Sequence, residues 1–262
     1  MIGLSTIGLG LAALIGQAAE PAMPPSGKWT IDYGADCTLS RAFKGPDGEI
    51  TLGIRPNIMS PGGEIVLVAP ANGRGRYETG KGRVTLRSEG PAFAMRYARV
   101  PVAGKPYQGV TVEPDATMWD AVAEAREVAI DAGDGPALRF ATGALDKPMA
   151  ALKTCQEAQL RFWGGDPAAM AKLPPGPELA TWFGPADYPE AAIRRGARGR
   201  SVALIKVDRA GKAVECRTVR SAGDAALDTA VCAGAKRRAR FDAAENGPEV
   251  RWATLSVRWW TP

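Results

Sequence analysis

The chain contains no histidine, and that absence removes the usual general base, the commonest metal ligand and the near-neutral proton switch together. Ser-His-Asp hydrolases, Cys-His proteases and His-ligated zinc enzymes are excluded as classes. Carboxylates, cysteines and cations remain. Asp120, Glu124 and Glu127 could serve as an acid pair for glycoside cleavage, yet such a spacing is what an exposed helix face ordinarily carries. Asp131, Asp134 and Asp146 hint at a cation site, but the spacing is not that of a calcium loop and turn chemistry accounts for it. No catalytic residue, metal ligand or cofactor is assigned. The expectation is a binding protein rather than an enzyme.

The four cysteines Cys37, Cys155, Cys216 and Cys232 form an even set without a C-x-x-C pair. Such a set reads as a disulfide framework in an oxidising compartment. Three pairings are formally open; chain organisation favours Cys37 with Cys155 and Cys216 with Cys232, one inside each expected domain. Cations gather at Arg194, Arg195, Arg198 and Arg200 and at Lys236–Arg240, within a formal net charge of +5. That excess biases the molecule toward anionic surfaces. A solvated face with helix C-terminal charges accounts for the clusters, and no nucleic-acid partner is assigned.

The elements that must hold these residues are marked along the chain by composition and turn signals. Residues 2–19 carry no charge and lead into a Pro-rich stretch, Pro21 to Pro25. They read as a secretory signal cleaved after Ala18, with an uncleaved inner-membrane anchor as the rival. Six short β-type runs follow at 29–33, 38–43, 50–55, 65–68, 84–87 and 95–100, separated by Gly, Pro, Asp and Asn clusters that mark turns. Asp115 is placed to cap a short helix presenting Met118, Val122 and Ala125. A hairpin of 128–130 and 138–140 comes next, and Asp146 or Lys147 opens a helix through Phe162. Pairing Cys155 with Cys37 would clamp that helix onto the first hairpin. Residues 164–184 are rich in Gly and Pro and are expected to form an extended, semi-rigid linker.

From Tyr188 the order is helix, strand, strand, helix, strand. Residues 201–207 and 213–220 flank the turn Asp208-Arg209-Ala210-Gly211, Asp224 starts the second helix, and 250–260 alternates Ala253, Leu255, Val257 and Trp259 against Trp252, Thr254, Ser256, Arg258 and Trp260. Two amphipathic helices on one face of a three-stranded antiparallel sheet is the simplest way to bury these stripes. The fold class is α+β, with a β-rich N-terminal domain with two helices over 27–163 and this small module over 185–262.

The module resembles the TonB C-terminal domain family at Tyr188-Pro189-x-x-Ala192, Gly199, Val207-x-x-x-Gly211, Arg220-Ser221-Ala222-Gly223, Leu227-Asp228-x-Ala230 and Arg237-Arg238-x-Arg240-Phe241. Ser201 and Ala213 depart from it, standing where larger β-branched residues are usual. Ala243 stands where a proline often follows. The resemblance implies a periplasmic module in cell-envelope transport that takes up an outer-membrane transporter peptide as an added strand. Trp252, Thr254, Arg258 and Trp260 would line the receiving edge. A homodimer contact or core closure is the other use for these tryptophans. A structural envelope protein that binds peptidoglycan or dimerises is the alternative function, and a histidine-free enzyme in the N-terminal half the third.

Overall fold

The structure, a computed structural model, describes residues 21–34, 36–71, 77–87, 90–133, 137–173 and 176–260. The expected signal or anchor at 1–19 lies outside the described residues, as does Asp134. Among the described residues no helix is long and apolar enough to cross a membrane.

The N-terminal half is a nine-stranded antiparallel sheet. Its strands are β1 (Thr30–Asp32), β2 (Thr38–Gly45), β3 (Gly48–Pro56), β4 (Gly63–Pro70), β5 (Glu78–Thr85), β6 (Ala92–Pro101), β7 (Tyr107–Pro114), β8 (Val128–Asp131) and β9 (Leu138–Phe140), in the order β1-β2-β3-β4-β7-β6-β5-β8-β9. The Pro-rich leader draws the two ends together. Met23 donates to the Arg139 carbonyl at 2.7 Å and accepts from Ala141 at 3.0 Å, while Pro24 accepts from Lys44 at 3.0 Å and Ser26 donates to Ala42 at 2.9 Å. The leader thereby bridges β9 and the second half of β2 and covers part of margins that would otherwise be open, which guards against edge-to-edge aggregation. Proline fits here because the N–H donors are supplied by Met23 and Ser26 on either side of it.

Inward positions such as Leu39, Phe43, Leu52, Ile54, Ile65, Leu67, Val112 and Phe140 form one core. A short helix α1 (Met118–Ala121) runs into a 3-10 turn, Val122–Glu124, and buries Met118, Val122 and Ala125 as expected. The N-cap position is Thr117 rather than Asp115; Asp115, three residues before Met118, accepts from the Thr117 backbone at 3.0 Å and forms the turn ahead of the helix. Helix α2 (Asp146–Phe162) packs Met149, Leu152 and Cys155 onto that core, and the Cys37–Cys155 disulfide ties it to the start of β2. Sequence reading missed β7 and placed β5 too far along, because the body of β5 is Thr79-Gly80-Lys81-Gly82-Arg83 and carries no apolar signal. Gly82 is required there: a Cβ would stand 2.1 Å from the Asp131 carbonyl oxygen.

The C-terminal half has a second sheet, β11-β10-β12, built from β10 (Gly199–Val207), β11 (Ala213–Arg220) and β12 (Arg251–Trp259). Helices α4 (Glu190–Arg194) and α5 (Ala225–Arg238) lie on one face, where Ala203, Ile205, Val207, Leu227, Val231, Ala253, Leu255 and Trp259 share a core. Cys216 is bonded to Cys232, joining β11 to α5. The Asp224 carboxylate caps α5 by accepting from Ala226 at 2.9 Å.

The segment expected to be an extended spacer is instead packed onto this core. It forms short turns, Pro167–Ala169, α3 (Gly176–Leu179), Ala180–Trp182 and Pro185–Asp187. Its Trp182 is 2% exposed and stacks edge-on against Phe241 at 5.3 Å. Arg238 holds the turn by donating to the Trp182 carbonyl at 2.6 Å. Burying an indole outweighs the extended preference of neighbouring prolines.

Candidate partner-binding edge

In the second sheet β10 is central, so β11 and β12 are its margins. The Ala171 N–H donates to the Trp252 carbonyl at 2.6 Å from outside the sheet. Backbone direction repeats every second residue along a strand. The N–H and C=O groups of Thr254, Ser256 and Arg258 therefore point the same way, away from β10. Beyond Trp252 no other strand pairs with this margin among the described residues.

The four residues assigned to this edge do share one face of the final strand. That face is turned toward the N-terminal half. Trp252 packs with Ile58, Leu160, Trp163, Val202 and Leu204; Thr254, 1% exposed, donates through its hydroxyl to the Ile58 carbonyl. Arg258 engages Glu64 and, through Nε at 2.5 Å, Glu113. Its guanidinium also lies 5.5 Å from the Trp260 ring centre. On this face Thr254 is buried, while Trp252, Ser256, Arg258 and Trp260 are half-buried.

A buried charge cluster lies beside it. Arg200 and Arg258 are direct cross-strand neighbours, and like charges so placed repel unless anions separate them. The N-terminal half supplies those anions. Asp36 bridges Arg200 and Arg220, while Glu64 reaches Arg55 at 2.5 Å, Arg200 at 3.4 Å, Arg220 at 3.8 Å and also Arg258. Burial pushes the guanidinium groups of Arg220 and Arg258 down to about 10, which leaves both charged at neutral pH. Burial likewise pushes the Glu113 carboxyl up to about 7, against the opposing pull of Arg200, Arg96 and a hydrogen bond from Trp260.

Sequence reading found β12 and its two faces but not Asp36, Glu64, Glu113 or the strap at Met170–Ala171. Glu64 opens an alternation in which Ile65, Leu67 and Ala69 point inward, so it looked like an ordinary solvent-facing residue. The legible hint was three arginines, Arg200, Arg220 and Arg258, destined for adjacent strands of one small sheet.

The family comparison falls on this module: residues 185–260 match the family model of the Gram-negative bacterial TonB protein C-terminal. The C-terminal module is a TonB C-terminal domain. No curated protein and no solved structure matches the chain. The motif residues of the TonB C-terminal domain have structural duties here. Gly211 sits at φ +79°, and a Cβ would lie 1.9 Å from the Phe241 carbonyl oxygen; only glycine fits such an approach. Asp228 accepts from the Ser201 hydroxyl at 2.7 Å and from the Ala222 backbone at 2.9 Å. Ser201 also accepts from the Trp259 indole at 3.3 Å. The departure at Ser201, itself fully buried, thus supplies a polar junction among β10, α5 and β12. Arg237 and Arg238 both pair with Asp187, at 3.1 and 2.7 Å, and fasten the entry turn to the end of α5.

Proposed function

We propose that this protein is a periplasmic TonB-like binding module in cell-envelope transport, which engages an outer-membrane transporter peptide by β-strand addition along β12. The observation that carries the reading is the match of residues 185–260 to a Gram-negative envelope domain together with a final strand at a sheet margin. TonB C-terminal domains interact with outer-membrane transporters generally, and a margin with outward N–H and C=O groups is what backbone pairing uses. The role is binding, not catalysis. Affinity comes from main-chain hydrogen bonds, and Arg258 and Trp260 on this strand supply selectivity.

The test is direct titration of the full chain with an extended peptide taken from the periplasmic end of an outer-membrane transporter. Ser256→Pro removes one outward N–H, and with it the hydroxyl that accepts from Arg200 at 3.3 Å, while leaving the β10 ladder intact, since proline is tolerated on the solvent side of an edge strand; Ser256→Ala, which removes the hydroxyl alone, is the control. Binding by the proline variant is expected to fall about tenfold, the worth of about one hydrogen bond, with both disulfides retained. Unchanged binding would refute pairing along β12.

A further inference from the structure

The margin that strand addition would use is occupied by the chain itself at Trp252, and the side-chain face of the same strand is held against the N-terminal half at Thr254 and Arg258. At Trp252 the strap Met170–Ala171 forms a parallel β-bridge and fills one outward acceptor through the Ala171 N–H. At Thr254 the turn carrying Ile58 takes the hydroxyl and leaves the residue 1% exposed. At Arg258 the side chain is clamped by Glu64 and Glu113 from the N-terminal half. Beyond Trp252 no strand pairs with the outward N–H and C=O groups of this margin among the described residues.

We infer that the protein is autoinhibited, the strap at Met170–Ala171 filling the Trp252 end of the β12 margin and the N-terminal half holding the strand's face in place, until an incoming strand displaces the strap. The inference rests on the strand-addition reading for what the margin is for, but not for whether the margin is closed. The geometry favours displacement from one end. A peptide pairs first with the outward backbone groups of Thr254, Ser256 and Arg258 and then competes for Trp252, where the strap is held to the margin by one backbone hydrogen bond. The clamp resists in parallel, because Arg258 must stay with its carboxylates or leave them buried and unpaired.

The experiment uses the full disulfide-bonded chain and three variants, Ala171→Pro, Met170→Gly and Glu64→Gln. Met170 already has φ −78° and ψ +133°, the conformation that a following proline demands. Ala171→Pro therefore deletes the strap's donor without forcing its neighbour, and Met170→Gly loosens the strap by a separate route should the proline disturb folding. Near-UV circular dichroism and intact-mass measurement confirm native packing and both disulfides.

Amide exchange of 252–258 is read without any peptide, and affinity for the transporter-derived peptide is read by titration. We expect exchange at the outward-facing amides of Trp252 and Thr254 to quicken at least tenfold in each variant, with Ala253, Leu255 and Val257 held in the β10 ladder, and peptide affinity to rise about three- to tenfold, the range one hydrogen bond commands. Quicker exchange without peptide capture upholds the closed margin and overturns strand addition instead. Exchange that matches the natural chain in all three variants overturns the closed margin whatever the peptide does.

Discussion

Glu64→Gln removes one charge from the cluster between the two halves and almost nothing from its shape. Four guanidinium groups, from Arg55, Arg200, Arg220 and Arg258, face three carboxylates, from Asp36, Glu64 and Glu113; with Glu113 ionised the local balance is 4 − 3 = +1 and becomes 4 − 2 = +2, and near pH 7, where Glu113 is about half protonated, both balances are more positive still. Glu64 is 2% exposed and contacts all four arginines, so water cannot replace what it supplied. Breaking a buried pair by removing one partner costs about 3–5 kcal/mol, because the partner charge stays desolvated. Urea unfolding followed by tryptophan fluorescence measures the loss without the screening that guanidinium would introduce. The account expects a drop in that range and a coupling energy of about 1–3 kcal/mol with Arg258→Gln in a double-mutant cycle. A loss below about 1 kcal/mol would mean the cluster behaves as a solvated surface network, and the argument for a clamped β12 would fail with it.

Further outcomes follow from other parts of the fold. Closing a loop of 16 residues is worth about 3 kcal/mol on the chain-entropy model, so replacing Cys216 and Cys232 by alanine, across a separation of 16, should lower stability by that amount in urea. The Cys37–Cys155 link, across a separation of 118, should cost nearly 5 kcal/mol by the same rule. Trp182→Ala empties a buried position in the C-terminal core and should cost about 3–5 kcal/mol, with the loss seen in unfolding of that half. Glu113 holds its proton to higher pH in the folded chain, about 7, than the ordinary 4.5. Its contribution is therefore fully present below pH 4.5 and lost as pH rises through 7, by up to about 3 kcal/mol at 1.36 kcal/mol per unit. Urea midpoints at pH 5.5 and 8 in the natural chain and in Glu113→Gln would expose it, the variant showing the flatter profile.

The C-terminal module was legible because its signals are local and agree with one another. Asp224 before an apolar stripe, Gly211 closing a four-residue turn, and strict alternation from Arg251 to Trp259 each specify an element without reference to distant residues. The same holds for α2, and for cysteines whose pairing followed the order of domains. Where reading failed, the decisive contact was remote. Proline at Pro24 and Pro25 reads as a breaker until Met23 and Ser26 are seen to stitch β9 to β2. The stretch around Lys172 and Leu173 reads as a spacer until Trp182 is seen inside the core. The edge residues were placed on the right face of β12, but no local pattern says that Ile58 or Glu64 will meet that face across nearly two hundred residues of chain.

Strand addition at β12 is best tested by following backbone amides of the full, isotopically labelled chain while a transporter-derived extended peptide is added. The account requires new protection at Ser256 and Arg258 together with release of the Ala171 amide from Trp252. Protection confined to β11 or to the N-terminal sheet, with Ser256, Arg258 and Ala171 unaltered, would contradict it.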